Sequence, residues 1–262
     1  MSGEPADTTL VLLHGFTGSS ASWDDVACDL AVPSVAIDLP GHGTSPAVAP
    51  TWKDNIDRVA VSVDITVGGE LHLVGYSMGA RVALALALSD RLRDRVVALT
   101  LIGVHPGLGD DAERSARRSA DRDWAERIRS GGVEAFVDAW EALPLWHSQA
   151  AVSAEARAAQ RAIRLAHSVD GLASSMDILG LGNMPALADE LVARGPATRL
   201  VTGDGDAKFG SIARDLAERA EHIEHIELAG AGHNVVLEAP NGVRSVLEST
   251  QMPRFRAPRD PE

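Results

Sequence analysis

The sequence has very little cysteine, no block of basic residues and no hydrophobic run of membrane-spanning length. Its single cysteine, Cys28, excludes an intramolecular disulfide and a cysteine-rich zinc site. The longest apolar run, from Val82 to Leu88, is far shorter than the roughly 20 residues that a membrane helix needs. Basic residues number 24 against 37 acidic ones, which gives a net charge of −13 and no footprint for nucleic acid.

Residues 1–7 also lack the basic-then-apolar order of a secretory signal peptide. We therefore expect a cytoplasmic protein that has neither a membrane nor a nucleic acid as its partner. The 262 residues and the hydrophobic content of 45% suffice for one α/β domain with an insertion. Nothing in the sequence indicates an oligomeric state.

Short apolar runs alternate with amphipathic stretches along most of the chain. The runs that predict buried strands are Thr8–Leu13, Ser34–Ile37, Leu71–Val74, Val96–Ile102, Arg199–Thr202 and His225–Leu228. The stretches that predict helices are Ala21–Ala31, Trp52–Asp64, Ala80–Arg91, Phe209–Ala220 and Gly242–Thr250. This alternation predicts an α/β fold, a mostly parallel sheet with helices on both faces.

The alternation stops in the middle of the chain, where the pattern becomes helical throughout. The helical pieces there are Ala112–Ile128, Val133–Trp146 and Ala154–His167. We predict that residues 1–109 and 186–262 form the α/β core and that residues 110–185 form an inserted helical cap. The tail from Pro253 onward is rich in proline and arginine, and we expect it to fray.

A serine with a glycine two positions away on each side follows the third predicted strand. Ser77 lies in Gly75-Tyr76-Ser77-Met78-Gly79, between an apolar strand and an apolar helix. This strand–turn–helix setting is what a G-x-S-x-G nucleophile motif requires. The glycines leave room for a sharp turn that exposes the hydroxyl at the start of a helix, where free N–H groups favour negative charge. We predict that Ser77 is a nucleophile.

A serine nucleophile needs a base, and the base needs an acid that orients it. With this motif the chain order is serine, then Asp or Glu, then histidine. His233 lies in a loop of small residues after the last predicted strand, and we predict that it is the base. The acid is Asp204 or Asp206; we favour Asp206, which lies deeper in its loop, and leave Asp204 as a turn residue.

The loop that follows the first strand has the position of an oxyanion-binding loop. We predict that the backbone N–H groups of Phe16 and Met78 form the oxyanion hole, an assignment that rests on position alone. His42 lies between glycines in a tight loop, and we interpret it as structural. His222 and His225 would point to opposite faces of an extended chain, so we predict no metal site there.

Several motifs resemble those of the α/β-hydrolase superfamily. They are Leu13–Gly18, Asp38–Gly43 and Gly75–Arg81. Narrower likenesses lie in residues 103–108, 121–125, 206–209 and 232–234. Together these segments resemble the 2-succinyl-6-hydroxy-2,4-cyclohexadiene-1-carboxylate synthase family of menaquinone biosynthesis. The resemblance implies a lyase that eliminates pyruvate from an enolpyruvyl-bearing cyclohexene carboxylate, through a Ser-His-Asp triad and without a metal or an organic cofactor.

Such a substrate carries several carboxylates, so its site should contain cations. Arg81 follows the nucleophile by one helical turn; its partner is either a substrate carboxylate or an internal Asp. The resemblance makes Arg117 a substrate-binding residue, although its helix otherwise has the pattern of an exposed, self-paired surface. Tyr76 and Trp140 are implied as substrate-binding in the same way, and Trp140 could equally pack with Phe136 in a cap core.

One position departs from the family pattern. The family has a further substrate-contacting arginine where this chain has Ala166, with Arg164 and His167 nearby. Either a neighbour substitutes for that arginine or the substrate differs.

Two other functions use the same features. The first is a serine hydrolase of carboxylic esters, thioesters or carbon–carbon bonds, which needs the same triad and a water molecule. The second is a non-catalytic ligand-binding homologue of the fold, against which the intact triad argues. Dehalogenase chemistry is disfavoured because it uses Asp at the position of Ser77.

Overall fold

Six parallel strands form the centre of the structure, a computed structural model that describes residues 8–45 and 47–249. In sheet order they are β2 (Ser34–Ile37), β1 (Thr9–Leu13), β3 (Leu71–Tyr76), β4 (Val96–Ile102), β5 (Ala197–Gly203) and β6 (Ile223–Leu228). Every neighbouring pair is parallel. The predicted α/β fold with a parallel sheet is confirmed.

The inner strands are largely apolar on both faces because helices cover both sides of the sheet. Val11 and Leu13 pack into a core on one face, whereas Leu10 and Leu12 pack into a core on the other. This alternation follows from the strand geometry, in which successive side chains point to opposite faces. All six residues of β3 are buried, as expected of a central strand in a doubly covered sheet.

The helices of the core lie in two layers. One layer contains α2 (Trp52–Thr66), α3 (Met78–Ala87), α7 (Ala188–Arg194) and α8 (Ala207–Ala217). The other layer contains α1 (Asp24–Ala27), α9 (Val235–Glu238) and α10 (Pro240–Glu248). The carboxyl ends of the parallel strands meet at one edge of the sheet, and the loops that leave this edge carry the predicted site residues.

Between β4 and β5 the chain forms a helical insertion of α4 (Asp111–Glu141), α5 (Ala154–Leu165) and α6 (Val169–Leu179). Helix α4 is kinked at Gly132, whose φ of 78° is non-helical; this is the break expected between residues 128 and 133. The insertion has a small core of its own, which includes Phe136 and Leu172. The division into a core of residues 1–109 and 186–262 and a cap of residues 110–185 stays a prediction.

Several predicted helices end earlier in the structure, two of them ahead of a proline. The stretch Ala21–Ala31 contains the end of a 3₁₀ turn and α1, which ends at Ala27, since the chain must extend through Pro33 into β2. The helix predicted over Val133–Trp146 is the second half of α4 and ends at Glu141, because Pro144 holds Leu143 in an extended conformation.

Thr250 and the tail from Pro253 lie outside the described residues. Within residues 8–45 and 47–249, no helix has both the length and the apolar character needed to cross a bilayer.

A histidine buried in the sheet makes the stability depend on pH. His72 lies in β3, with its Nε2 2.8 Å from the hydroxyl of Thr100. Burial, assisted by the charge of Arg199, lowers the pKa of His72 to about 4. Because the unfolded chain takes up the proton near pH 6.5, stability is lost as the pH falls from 6.5 toward 4, by about 2 kcal/mol at pH 4.5.

Urea unfolding at pH 7 and pH 4.5 measures this loss. The variant His72→Gln keeps a polar group without the titration, so its stability should fall by about 2 kcal/mol less than that of the wild type. His147→Gln is the matched control, since the ring of His147 is exposed. An equal pH dependence in all three proteins would contradict the prediction.

Candidate active site

Ser77 lies in a strained turn between β3 and α3. Its φ of 52° and ψ of −105° are unusual for a non-glycine residue, and such strain is often found at functional sites. A Cβ atom at Gly79 would overlap the carbonyl oxygen of Leu13, and one at Gly75 would overlap the carbonyl oxygen of Gly79. Both glycines are therefore required for α3 to begin this close to the sheet.

The structure brings three predicted residues into one hydrogen-bonded chain. The Ser77 hydroxyl lies 3.0 Å from Nε2 of His233, and Nδ1 of His233 lies 2.7 Å from Oδ2 of Asp206. His233 comes from the loop after β6, and Asp206 from the loop after β5. When Asp206 accepts a hydrogen bond from Nδ1–H, the other ring nitrogen, Nε2, carries no proton and can accept the proton of the serine.

The two aspartates after β5 have different partners. Oδ1 of Asp204 accepts a hydrogen bond from the backbone N–H of Gly230, at 2.9 Å, which is the role of a turn residue. Asp206 caps α8 through its Oδ1, which accepts from the N–H of Phe209 at 3.3 Å, and its other oxygen faces His233. The contacts therefore favour Asp206 over Asp204 as the partner of the histidine.

The imidazole of His233 is buried and enclosed by rings. Its centroid lies 4.5 Å from that of Phe209 and 5.9 Å from that of Trp146. A Cβ atom at Gly103 would lie 2.9 Å from Cε1 of His233, so the absence of a side chain there lets the ring approach. Close packing on these sides holds the ring in the orientation that both hydrogen bonds need.

The two predicted oxyanion donors border the same cavity as Ser77. Phe16 lies in the loop after β1, and Met78 is the first residue of α3. Within residues 8–45 and 47–249, neither backbone N–H donates a hydrogen bond to another protein group. Two such donors beside a nucleophile are suited to stabilise negative charge on a bound molecule.

The cavity beside Ser77 has a volume of about 220 Å³ and a cationic lining. Arg81, Arg117 and Lys208 line it, together with Trp140 and Trp146, and the described residues place no carboxylate in its wall. A larger open cleft, of about 940 Å³, lies between α2, α3 and α7 and contains none of the triad residues. The small cavity is therefore the candidate active site.

Arg81 has no carboxylate partner within the described residues. Its Nη1 donates to the carbonyl of Leu179 at 2.8 Å, and its guanidinium lies 5.9 Å from the ring centroid of Trp52. Burial, together with the like charge of Arg117, lowers the pKa of Arg81 to about 9, so the group stays charged at neutral pH. The charge of the buried Asp121 acts on Arg81 in the opposite direction, although no ion pair joins the two side chains within the described residues.

Arg117 forms an ion pair within its own helix and also lines the cavity. Its Nε donates to Oδ1 of Asp121 at 2.8 Å, the pairing expected of residues one helical turn apart. The same side chain reaches the cavity wall. Burial raises the pKa of Asp121, against the effect of Arg117.

The two aromatic residues named from the resemblance also line the cavity. The hydroxyl of Tyr76 and the Nε1 of Trp140 are buried and have no hydrogen-bond partner in the described structure. Trp140 packs its ring 5.6 Å from that of Phe16 and 5.5 Å from that of Phe136. Trp140 is therefore both part of the packing of the insertion and part of the cavity wall.

The position of the missing family arginine is exposed, and its neighbours are buried. Ala166 ends α5 at the surface, whereas Arg164 is buried, pairs with Glu141 at 2.8 Å and lies 5.5 Å from the ring centroid of Trp146. Arg164 borders a second, much smaller cavity with Tyr76. A cation is thus present near Tyr76 despite the alanine.

Sequence reasoning gave no role to three residues of the site, Lys208, Phe209 and Trp146. Lys208 and Phe209 directly follow the predicted acid, and that proximity was the available signal. The pKa of His105, near the cavity, reflects the positive charges around it. Burial, then the charges of Lys208, Arg81 and Arg117, lower the pKa of His105 to about 4.

The remaining histidines bond to groups of the protein. The buried His42 accepts from the N–H of Thr17 at 3.3 Å. His222 and His225 have separate partners, the carbonyl of Leu191 and the hydroxyl of Thr202. No group of three or more His, Cys, Asp or Glu side chains within the described residues could hold a metal ion.

The glycine after the nucleophile offers a direct test of the turn. Gly79→Ala should reduce turnover by at least about a hundredfold, because the methyl group would push the start of α3 away from Leu13 and displace Ser77. Gly131→Ala is the control, since its Cβ would meet only Ala135, at 3.5 Å. Steady-state kinetics and circular dichroism of both variants measure the effect; full activity in Gly79→Ala would contradict it.

Known proteins resemble this chain over nearly its whole length. The model of the alpha/beta hydrolase family matches residues 10–246. The 2-succinyl-6-hydroxy-2,4-cyclohexadiene-1-carboxylate synthase of Enterobacter sp. (strain 638) is 34% identical over 247 residues, which cover 94% of this chain and 92% of that protein. The synthase of the same name from Escherichia coli (strain SMS-3-5 / SECEC) is 33% identical over 258 residues, covering 97% and 96%.

A solved structure is similar to this chain in fold over nearly its whole length. MenH from S. aureus superposes with a TM-score of 0.86 at 28% identity, covering 94% of this chain and 93% of that one. The chain therefore belongs to the alpha/beta hydrolase family and is similar, over nearly all its length, to proteins named 2-succinyl-6-hydroxy-2,4-cyclohexadiene-1-carboxylate synthase.

Proposed function

We propose that this protein is a lyase that releases pyruvate from an enolpyruvyl-bearing cyclohexene carboxylate in menaquinone biosynthesis. The substrate would be a small anionic molecule, and the reaction would use Ser77, His233 and Asp206 without a metal or an organic cofactor. The names of the relatives support this substrate class, and so does the hydrogen-bonded chain that ends at the cavity.

The observation that carries the proposal is the sign of the cavity's charge. The protein as a whole has a net charge of −13, yet among the described residues three cationic side chains and no carboxylate line the cavity. Arg81 donates to a neutral carbonyl and lies against an aromatic ring, and Asp121, the carboxylate whose charge acts on it, is paired with Arg117. Arg81 can therefore still receive a bound anion. A substrate with several carboxylates matches this arrangement, whereas a simple ester pocket is mostly apolar.

The proposed chemistry is a proton abstraction followed by elimination. Ser77, whose own proton passes to His233, takes a proton from a ring carbon of the substrate. The electron pair of that C–H bond forms a new ring double bond, and the bond between the ring and the enolpyruvyl oxygen breaks. The leaving enolate takes up the proton that His233 received from Ser77 and becomes pyruvate, which restores the neutral histidine. The N–H groups of Phe16 and Met78 stabilise the negative charge that develops on the substrate.

The family arginine that is missing at Ala166 has a substitute in this proposal. Arg164 is buried beside the cavity that it shares with Tyr76, and its Nε has no hydrogen-bond partner within the described residues. We place Arg164, which also pairs with Glu141, behind Tyr76, where its charge acts on the phenol that lines the substrate cavity.

A hydrolase of esters, thioesters or carbon–carbon bonds is the second candidate. The same geometry favours it, because Ser77 could attack a carbonyl carbon while the two N–H groups receive the oxyanion. Turnover of the enolpyruvyl substrate beside p-nitrophenyl acetate separates the two. The lyase reading requires pyruvate release; robust ester hydrolysis with no pyruvate would overturn it.

Removing the serine hydroxyl tests the triad. Ser77→Ala should lower pyruvate release by at least about a thousandfold, since the base that takes the substrate proton is lost. Ser89→Ala is the control, because the Ser89 hydroxyl donates to the carbonyl of Leu86 at the far end of α3. A loss of less than about tenfold in Ser77→Ala would refute the assignment of Ser77.

Removing one cation tests the binding of carboxylates. Arg81→Gln should lower kcat/KM for the anionic substrate by about 10- to 100-fold, as expected for the loss of a hydrogen bond to a charged group. Hydrolysis of the neutral p-nitrophenyl acetate should change by less than about threefold. Arg118→Gln is matched, because Arg118 also donates to a carbonyl, that of Gly182, and does not line the cavity. Equal losses on both substrates would make Arg81 structural.

A further inference from the structure

Three successive peptide groups in the loop after β1 each bond to a different histidine. The carbonyl of Gly15 accepts from Nδ1 of His14 at 2.8 Å. The N–H of Thr17 donates to Nε2 of His42 at 3.3 Å, and the carbonyl of Thr17 accepts from Nε2 of His167 at 3.1 Å. The first of these peptide groups contains the N–H of Phe16, and the other two directly follow it.

The second nitrogen of each ring bonds to another segment of the chain. Nε2 of His14 accepts from the N–H of Leu39, at 2.9 Å. Nδ1 of His42 donates to the carbonyl of Pro40, at 3.2 Å, and Nδ1 of His167 accepts from the N–H of Gly43, at 3.3 Å. Each ring thus has one donor and one acceptor role, and only a neutral imidazole can have both.

The three rings also touch one another. The centroids of His14 and His42 lie 5.0 Å apart, and those of His42 and His167 lie 5.1 Å apart. All three rings are buried. They form a packed cluster, called here the histidine cluster, that joins the loop after β1, the loop after β2 and the turn between α5 and α6.

The loop needs this support because its backbone is strained. Thr17 has a φ of 67°, and within the described residues the only other non-glycine residue with a positive φ is Ser77. A threonine in this conformation costs free energy that the surrounding structure must offset. Hydrogen bonds on both sides of the Thr17 peptide are suited to hold it.

We propose that His42 and His167 are positioning residues that fix the backbone N–H of Phe16 at the oxyanion position, together with His14. The inference rests on the proposed role of that N–H. Since His167 belongs to the helical insertion, the oxyanion loop reaches its working geometry only when the insertion is seated on the core. The insertion therefore acts on the chemical step through a hydrogen bond, without touching the substrate at His167.

The charge state of the cluster is consistent with this arrangement. Burial lowers the pKa of His14 to about 4, places that of His42 well below its usual value and lowers that of His167. The charged group that faces all three is Asp38, which acts in the opposite direction. Oδ1 and Oδ2 of Asp38 accept from the N–H groups of Ser20 and Thr44, so its charge is already engaged.

The test uses a probe that reports the oxyanion hole whatever the natural substrate is. In an alkyl p-nitrophenyl phosphonate, Ser77 Oγ forms a bond to phosphorus, the bond from phosphorus to p-nitrophenolate breaks, and the serine proton passes to His233. The phosphonyl oxygen occupies the oxyanion position. Released p-nitrophenolate gives the second-order rate constant of phosphonylation.

His167→Leu and His42→Leu should lower this rate constant by about tenfold or more, because a displaced N–H stabilises the charge less well. His167→Gln should stay within about threefold of the wild type, since its amide can donate to Thr17 and accept from Gly43. His72→Leu is the matched control, because it too removes a buried neutral imidazole. The ring of His72 bonds to Thr100 and lies at the start of β3, away from the turn that contains Ser77. Its rate constant should change by less than about twofold.

Melting temperatures of all variants identify losses that come only from instability. If His167→Leu does not fold, His167→Asn replaces it, because an amide one methylene shorter does not span Thr17 and Gly43. Equal rate losses in His167→Leu and His72→Leu would overturn the positioning role, and so would an unchanged rate in His167→Leu. A wild-type protein that does not react with the phosphonate would instead refute the assignment of Ser77 and the oxyanion hole.

Discussion

The close contact between the start of α3 and the carboxyl ends of β1 and β3 is the constraint on which the site depends. It requires glycine at positions 75 and 79, since a Cβ atom at either would overlap backbone. It also holds Ser77 in a conformation that side chains rarely adopt. The helix begins directly after the serine, so one turn later it delivers Arg81 to the same cavity. One tight turn thus sets both the hydroxyl and the nearest cation.

Cations in this cavity oppose the charge of the protein and the polarity of α3. Arg81 lies in the first turn of a helix, where the dipole disfavours a positive charge, and Arg117 and Lys208 are close by. Three positive charges close together repel one another and cost free energy in the empty protein. A bound polyanion would offset this repulsion. The cations therefore select substrates by their negative charge. Which bond of the bound substrate breaks is decided by Ser77 and His233.

Much of the core was predictable, because its signals are local. The apolar runs gave every strand of the sheet, and the G-x-S-x-G turn with the order serine, acid, histidine gave the three hydrogen-bonded residues. The partners of Arg81 could not be predicted, since Leu179 approaches it only through the fold of the insertion. Lys208 was missed for a different reason: it directly follows the predicted acid, but a position in the sequence does not show which way its side chain lies.

The insertion completes a site that the core alone leaves unfinished. The core supplies the serine, the histidine and the aspartate, whereas the insertion supplies Arg117, Trp140 and Trp146. Through His167 it also reaches the peptide next to Phe16, more than a hundred residues earlier in the chain. Because Arg81 belongs to the core and Arg117 to the insertion, an anion bound between them would hold the insertion in the position where His167 bonds to Thr17. Recognition of the substrate and preparation of the oxyanion hole would then be one event, which limits proton transfer to molecules that carry the right charges.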